Sequence, residues 1–261
     1  ELLVREGDIQ LGWRQPESLL PTISADNHLR ISAGRDLDLA GIQLAKSRHL
    51  TFSAGRHLNA SQSQLNATGN IHLLAGKDLM LRQAGIRAGQ QVMLSAGRDI
   101  DLSRPNTPES LFYLSELNGV DKFSELGTQI TAGDHLQLSA GEDIAGIARL
   151  TSTKGNVSVN AGRDLLLSAR KYSPMNDGDK HYLYATSAIN AAQNLTLVAA
   201  GNLLTSGASL TSGRDMQLSA GGNVRFESRQ EFIREGNIER FTQHASRLTS
   251  GGALTLRSQG S

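Results

Sequence analysis

The chain has 261 residues, 38% of them apolar, which is enough for a real core. Only one Trp, four Tyr and six Phe stand against 27 Gly, so that core must be thin and built of small aliphatic side chains, as in a solenoid rather than a globule. A net charge of +1 supplies no whole-protein field to gather nucleic acid or an anionic membrane, and the absence of cysteine excludes disulfides and thiolate metal sites.

No apolar run approaches the roughly 20 residues that would span a bilayer. Glu1 is followed by no signal-like segment, as expected of a piece of a longer chain. Residues 1–22 read as a degenerate first turn or cap, in which Gly7-Asp8-Ile9-Gln10-Leu11 is a weak copy of the repeat unit and Trp13, Pro16 and Pro21 interrupt the pattern. From Ile23 the chain repeats. The stretch Ala33-Gly34-Arg35-Asp36-Leu37-Asp38-Leu39 returns in close copies from Ala54, Ala75, Ala96, Ala140, Ala161, Ala200 and Ala220. Gly34, Gly55, Gly76 and Gly97 are 21 residues apart, and Gly141, Gly162, Gly201, Gly221 and Gly260 continue the series at wider or similar intervals.

Three apolar columns accompany the glycines. One stands three residues after each glycine and runs from Leu37 and Leu58 to Leu204 and Val224. Another runs through Ile23, Leu44, Leu65, Ile86, Ile130, Leu150, Ile189, Leu210 and Leu248. Six residues on, or seven after Leu150, comes the third, from Leu29 and Leu50 to Met216 and Leu254. Within each piece apolar and polar residues alternate with the period of a strand. Three short strands per copy, joined by tight Gly, Asn and Ser turns, bury nothing alone, but stacked copies share an interior at about 4.8 Å per layer. The expected fold is all-β: a parallel β-helix of about 20–21 residues per turn over residues 23–261, with roughly eight to nine turns. Each turn would bury five or six small aliphatic side chains.

Irregular intervals carry further information. From glycine to the Ile23-type column takes nine or ten residues in ordinary turns, but 33 after Gly97 and 27 after Gly162 and Gly221. These differences place insertions near 104–127, 170–186 and 227–246, all leaving from one corner on alternate turns. Two layers amount to roughly 10 Å, a spacing at which hairpins or helices pack face to face. Three stacked flaps along one edge are therefore expected. The second turns at Asn176-Asp177-Gly178-Asp179 and reads as a hairpin, and the third turns around Glu235-Gly236-Asn237. Phe112, Tyr113, Phe123, Tyr172, Tyr182, Tyr184, Phe232 and Phe241 lie in these excursions, with Phe226 on the strand entering the third. The eight within the excursions, without Phe226, are the candidate partner-binding residues.

Other constellations favour structural roles. The glycines Gly34, Gly55, Gly76, Gly97, Gly141 and Gly162 and the acids Asp36, Asp78, Asp99, Asp143 and Asp164 form a turn ladder. Arg35, Arg56, Lys77, Arg98 and Arg163 stand beside the acids to neutralise them, and Asp at a turn accepts backbone N–H groups. His28, His49 and His135 share a column with Asn70, Gln91, Asn156 and Asn194, which marks a polar turn position rather than a metal site. Asp177 and Asp179 lack a calcium-loop frame. No GxSxG, Walker, HExxH or Rossmann pattern occurs, so no catalytic, cofactor-binding or metal-binding residues are expected. A polysaccharide-processing β-helix enzyme is the alternative class. The outward strand positions, filled with Ser, Thr, Gln and Arg, disfavour it.

The recurring AGRDL-x-L and L-x-L-S-AG elements resemble the haemagglutinin repeats of two-partner-secreted exoproteins, the filamentous haemagglutinins and CdiA-type contact-dependent growth inhibition effectors, over most of residues 23–260. The resemblance implies a right-handed β-helical filament, secreted to the bacterial cell surface through an outer-membrane two-partner-secretion transporter. Its tasks would be adhesion, or presentation and delivery of a distant toxin. Implied partners are flanking repeats of the same chain, the transporter, and a target-cell receptor or glycan. The chain contains no secretion cap, Val-Glu-Asn-Asn boundary or toxin motif, so its own part would be shaft, spacer or contact surface.

Overall fold

The computed structural model describes residues 1–11, 22–23, 25–103, 127–172, 181–235 and 237–260. Every regular element among them is a strand. Three parallel sheets of ten, nine and nine strands run the length of the molecule, each interior strand paired with its equivalents one turn before and one turn after. One coil shows the plan: Ile71–Ala75 lies in the first sheet, Leu79–Met80 in the second and Gly85–Ala88 in the third. The result is a parallel β-helix.

The apolar columns are the sheet registers. Ile23, Leu44, Leu65, Ile86, Ile130, Leu150, Ile189, Leu210 and Leu248 pair in succession. In the coil named above, Ile71, Leu73, Ala75, Leu79, Leu81, Ala84, Ile86 and Ala88 are all buried. That makes eight inward positions rather than five or six, because the alanines before each corner and at each strand end also face inward. Alternation with period two puts the intervening residues on the surface.

The described N-terminal residues join the same sheets: Leu2–Val4 pairs with the strand His28–Ala33, and Ile9 pairs with Leu37. The glycine column departs from the sequence count in two places. The Ala200 N–H donates to the Ala161 carbonyl and the Gly201 N–H to the Arg163 carbonyl, so Ala200 takes the column of Gly162 and Gly201 that of Arg163. The register therefore shifts by one: Leu203, not Leu204, pairs with Leu165 and is buried. Gly260 likewise bonds to Gly222 and stands in the arginine column. A side chain at Gly55, Gly76 or Gly97 would strike the carbonyl oxygen of the glycine one layer below, which is why this corner runs on glycine.

The corner between the second and third sheets is tightest in the early turns. Gly41, Gln62 and Gln83 there have φ of 70°, 57° and 56°. Asp38 and Asn59 close the approach, each accepting the N–H two residues on, at 3.0 and 3.1 Å. Asp101 does the same for Ser103 at 2.8 Å, and the third sheet is next joined at Thr128. In the turns after Leu167 and Glu227 the insertions leave from this corner as well.

Candidate contact surface

Two excursions from that corner form one structure. Ala169–Tyr172 and His181–Thr186 make an antiparallel pair, as do Arg229–Glu235 and Ile238–His244, and the four strands form a single sheet beside the shaft. The expected face-to-face packing is corrected by this arrangement: the hairpins meet edge to edge, with His181 opposite Ile233 and Tyr182 opposite Phe232. A two-stranded hairpin is two strand spacings wide, about 9.6 Å, and two coil layers have the same height. Hairpins on alternate turns therefore tile into a continuous sheet at the pitch of the shaft.

Side chains seal the join. Beyond Tyr182 the inter-hairpin ladder stops, and the Tyr184 N–H donates at 2.9 Å to Oε1 of Glu231 instead of to backbone. Oε2 of Glu231 is 2.9 Å from Nε2 of His244 on the neighbouring strand, and the Glu231 side chain is only 12% exposed. At the root, Arg229 donates to Ser206 Oγ at 3.0 Å and to Glu227 at 3.1 Å, tying the second hairpin to the last coils.

Of the expected partner-binding residues, Phe232 and Phe241 are brought together as a cross-strand pair, with ring centroids 5.0 Å apart and planes inclined by 43°. Phe241 is 58% exposed and Ile238 is 59% exposed, large apolar groups held in solvent. Tyr184 is half-buried, and Tyr172 and Tyr182 take their places by backbone register. Phe112, Tyr113 and Phe123 lie outside the described residues, as do Asp177 and Asp179. Phe226 lies on the strand Val224–Glu227 that enters the third excursion, as expected. It pairs with the buried Thr205 in the last layer of the second sheet and is left 36% exposed at the end of the shaft.

Along the shaft, two corners carry side-chain ladders. At the first, Asp8, Asp36, Asp99, Asp143 and Asp164 each accept the N–H of the residue one layer up, and Asn202 continues the series to Asn223. Arginines reach back one layer onto the same carboxylates: Arg35 to Asp8, Arg56 to Asp36, Arg98 to Asp78 and Arg163 to Asp143, at 2.5–2.9 Å. The Arg35 and Arg163 guanidiniums hold Asp8 and Asp143 below the usual carboxylate range. At Asp36 and Asp78 burial opposes the charge, but Arg56 and Arg98 and the N–H groups above outweigh it and the carboxyls again titrate low. From the Gly201 turn onward the arginine position is glycine and the acid becomes Asn202 and Asn223. The N–H acceptor is kept, and Asp164, beneath Gly201, takes the backbone and side-chain N–H groups of Asn202 in place of an arginine.

At the second corner His49, Asn70, His135, Asn156, Asn194 and Asp215 each accept the N–H of their successor. Asp8, Asn202 and Asn223 were missing from the expected ladder. The Gly7-Asp8-Ile9 echo was the signal for the first, whereas the one-residue shift at Gly201 concealed the other two.

Two depressions mark the surface, one at the root of the side sheet and one on the shaft. One, of about 610 Å³, lies where Gln243, His244 and Arg247 meet Thr186 and Ser209. The other, of about 560 Å³, lies over Leu166, Leu204 and Arg225 on the outer second sheet. Among the described residues no group of three His, Asp or Glu side chains is placed to hold a metal ion, and no helix is long and apolar enough to cross a membrane.

The geometry thus defines a class: a repeat-built β-helical shaft with a small extrahelical sheet on one edge. Residues 127–237 match the hemagglutinin repeat family, in agreement with the resemblance carried by the AGRDL-x-L elements. The match includes both strands of the first hairpin and one strand of the second. That family comprises structural, non-catalytic segments of filamentous haemagglutinin-like adhesins, usually parts of secreted or cell-surface exoproteins. No curated protein and no solved structure matches the chain.

Proposed function

We propose that this chain is a non-enzymatic shaft segment of a large secreted filamentous adhesin or contact-dependent growth inhibition effector, and that its four-stranded side sheet is the surface that meets the target cell. The observation that carries this reading is the merging of two hairpins, from separate turns, into one sheet that holds Phe241 and Ile238 in solvent. An exposed aromatic on a braced platform is the kind of group that anchors binding interfaces, and an inert spacer has no need of it. The ladders at the corners serve the shaft by satisfying backbone N–H groups layer by layer. Export through an outer-membrane two-partner-secretion transporter and continuation into flanking repeats accord with the family, and the surface partner is a cell receptor or glycan.

The test is binding of the chain to target cells with Phe232 and Phe241 both replaced by Ser and the shaft monitored by far-UV circular dichroism. Loss of most of the binding with an unchanged β spectrum is expected. Full binding with an intact shaft would overturn the assignment of the surface. Cleavage of an acidic polysaccharide, abolished by one Asp or Arg substitution, would overturn the non-enzymatic reading.

A further inference from the structure

The second corner ladder contains two rungs of a different chemistry. At Asn70, Asn156, Asn194 and Asp215 the acceptor is a side-chain oxygen, which keeps its lone pairs throughout the physiological range. At His49 and His135 it is the imidazole Nδ1, accepting the Asn70 N–H and the Asn156 N–H, both at 3.1 Å. An imidazole that accepts on Nδ1 is neutral and carries its proton on Nε2. Protonation places a second N–H donor head-on against the backbone donor above, so the rung is lost and turned into a repulsion.

We propose that this corner is an acid-sensitive seam, in which protonation of His49 and His135 releases the Asn70 and Asn156 layers while the Asn and Asp rungs hold. The surroundings of His49 work in the same direction. Its ring lies 6.0 Å from that of His28 in the layer below, and Arg48 beside it and His72 in the layer above are also cationic or able to become so. Among the described residues no carboxylate acts on it. Burial, followed by Arg48, His28 and His72, pushes the His49 imidazole below its ordinary value of 6.5. The folded chain therefore binds fewer protons there than the unfolded chain. The stability held by this rung is complete above pH 6.5 and is lost as the pH falls below it. Beside His135 stands Asp134, its chain neighbour, and Lys154 lies just before Asn156, the residue whose N–H His135 accepts. The column itself shows that histidine is not needed to build the turn, since four of its other positions do so with Asn or Asp.

The experiment is thermal unfolding of the whole chain between about pH 7.5 and about pH 5.5, followed by far-UV circular dichroism, for the wild type, the H49N/H135N double variant and H28N. His28 shares the column but gives its Nε2 to the Thr51 hydroxyl at 3.0 Å and accepts no N–H from the layer above, so it controls for a generic histidine effect. The wild type and H28N should lose several degrees of Tm on acidification, and the double variant less than half as much. Nitrogen–proton correlation spectra at neutral pH should show Nδ1 of His49 and His135 unprotonated. A double variant with the full acid loss, a wild type with no acid loss, or a proton on either Nδ1 would each overturn the proposal.

Discussion

In the shaft, an interior strand is flanked on both sides by near-copies of itself, in parallel and in register over as many as six residues. In the side sheet, two hairpins from different turns share two facing residue pairs among the described residues, and beyond them a carboxylate takes over from the backbone ladder. Both regions use the same strand spacing. They differ in what each strand leans on: a shaft layer is held by two neighbours and a buried core, whereas the side sheet is held by its hairpins and one seam. The shaft should therefore behave as a cooperative stack, with nearest-neighbour terms carrying its stability. The side sheet should open and close locally, at less cost than global unfolding. A surface that tolerates change is thereby separated from a scaffold that does not.

The largest expected break in this contrast comes from the core. Leu73 is fully buried in the middle of the first sheet, and Leu73→Ala should cost about 2–5 kcal/mol in denaturant unfolding. Because each layer supports the next, the loss should appear as one shifted transition rather than as a separate early phase.

Next come the corner ladders. Asp143 accepts the Asp164 N–H at 3.0 Å and the Arg163 guanidinium at 2.5 Å, and Asp143→Ala leaves both donors without that acceptor, at a cost of about 1–3 kcal/mol. Asp143→Asn should recover a large part of this loss, since Asn202 and Asn223 occupy the same column without an arginine clip. An Asn variant as unstable as the Ala variant would mean that the ion pair, not the N–H acceptor, matters here. Titration involves the same groups. Asp8, Asp36, Asp78 and Asp143 titrate below 3.8, so their contribution is present above that pH and is lost as the pH falls through the lowered values. Unfolding measured against pH should thus show a second acid loss below about pH 4, distinct from that of the histidine rungs and smaller in Asp143→Asn.

The three apolar columns were legible because a 21-residue period leaves one register that keeps Leu65, Ile86 and Ile130 on the same face; a one-residue slip would turn all of them outward. The slip at Ala200-Gly201 was not legible. Either residue suits a tight corner, and only the bond from the Ala200 N–H to Ala161 decides between them. The insertions were legible as lengths, and their common corner came from subtraction. Their mode of packing was not, because two layers amount to roughly 10 Å and satisfy both face-to-face packing and the width of one hairpin. The choice lies in the pairing of Tyr182 with Phe232, a contact between segments some 50 residues apart that no local period encodes. Glu231 was hidden for the same reason: in sequence it is one exposed-looking acid beside Phe232, and only the assembled sheet gives it two partners.

Glu231 offers the next test, smaller and confined to the seam. In Glu231→Ala the Tyr184 N–H loses its acceptor and His244 the carboxylate beside it, so the two hairpins should separate more often. Amide exchange at Tyr184 should quicken by about tenfold, equivalent to about 1.4 kcal/mol of local stability, while shaft amides such as Leu138 and Leu197 keep their protection. Equal acceleration in the shaft would mean that the side sheet braces the coils.

The smallest effect sharpens the comparison most. Phe241 is more than half exposed, and its ring rests chiefly on Phe232 across the hairpin. Phe241→Ala removes more atoms than Leu73→Ala, yet the shaft transition should move by less than about 0.5 kcal/mol, because no coil depends on that ring. If the same variant that leaves unfolding unchanged also abolishes attachment to cells, the aromatic pair is present for binding rather than for packing. If it destabilises the shaft as Leu73→Ala does, the side sheet is part of the core, and the division between scaffold and surface drawn from its exposure fails.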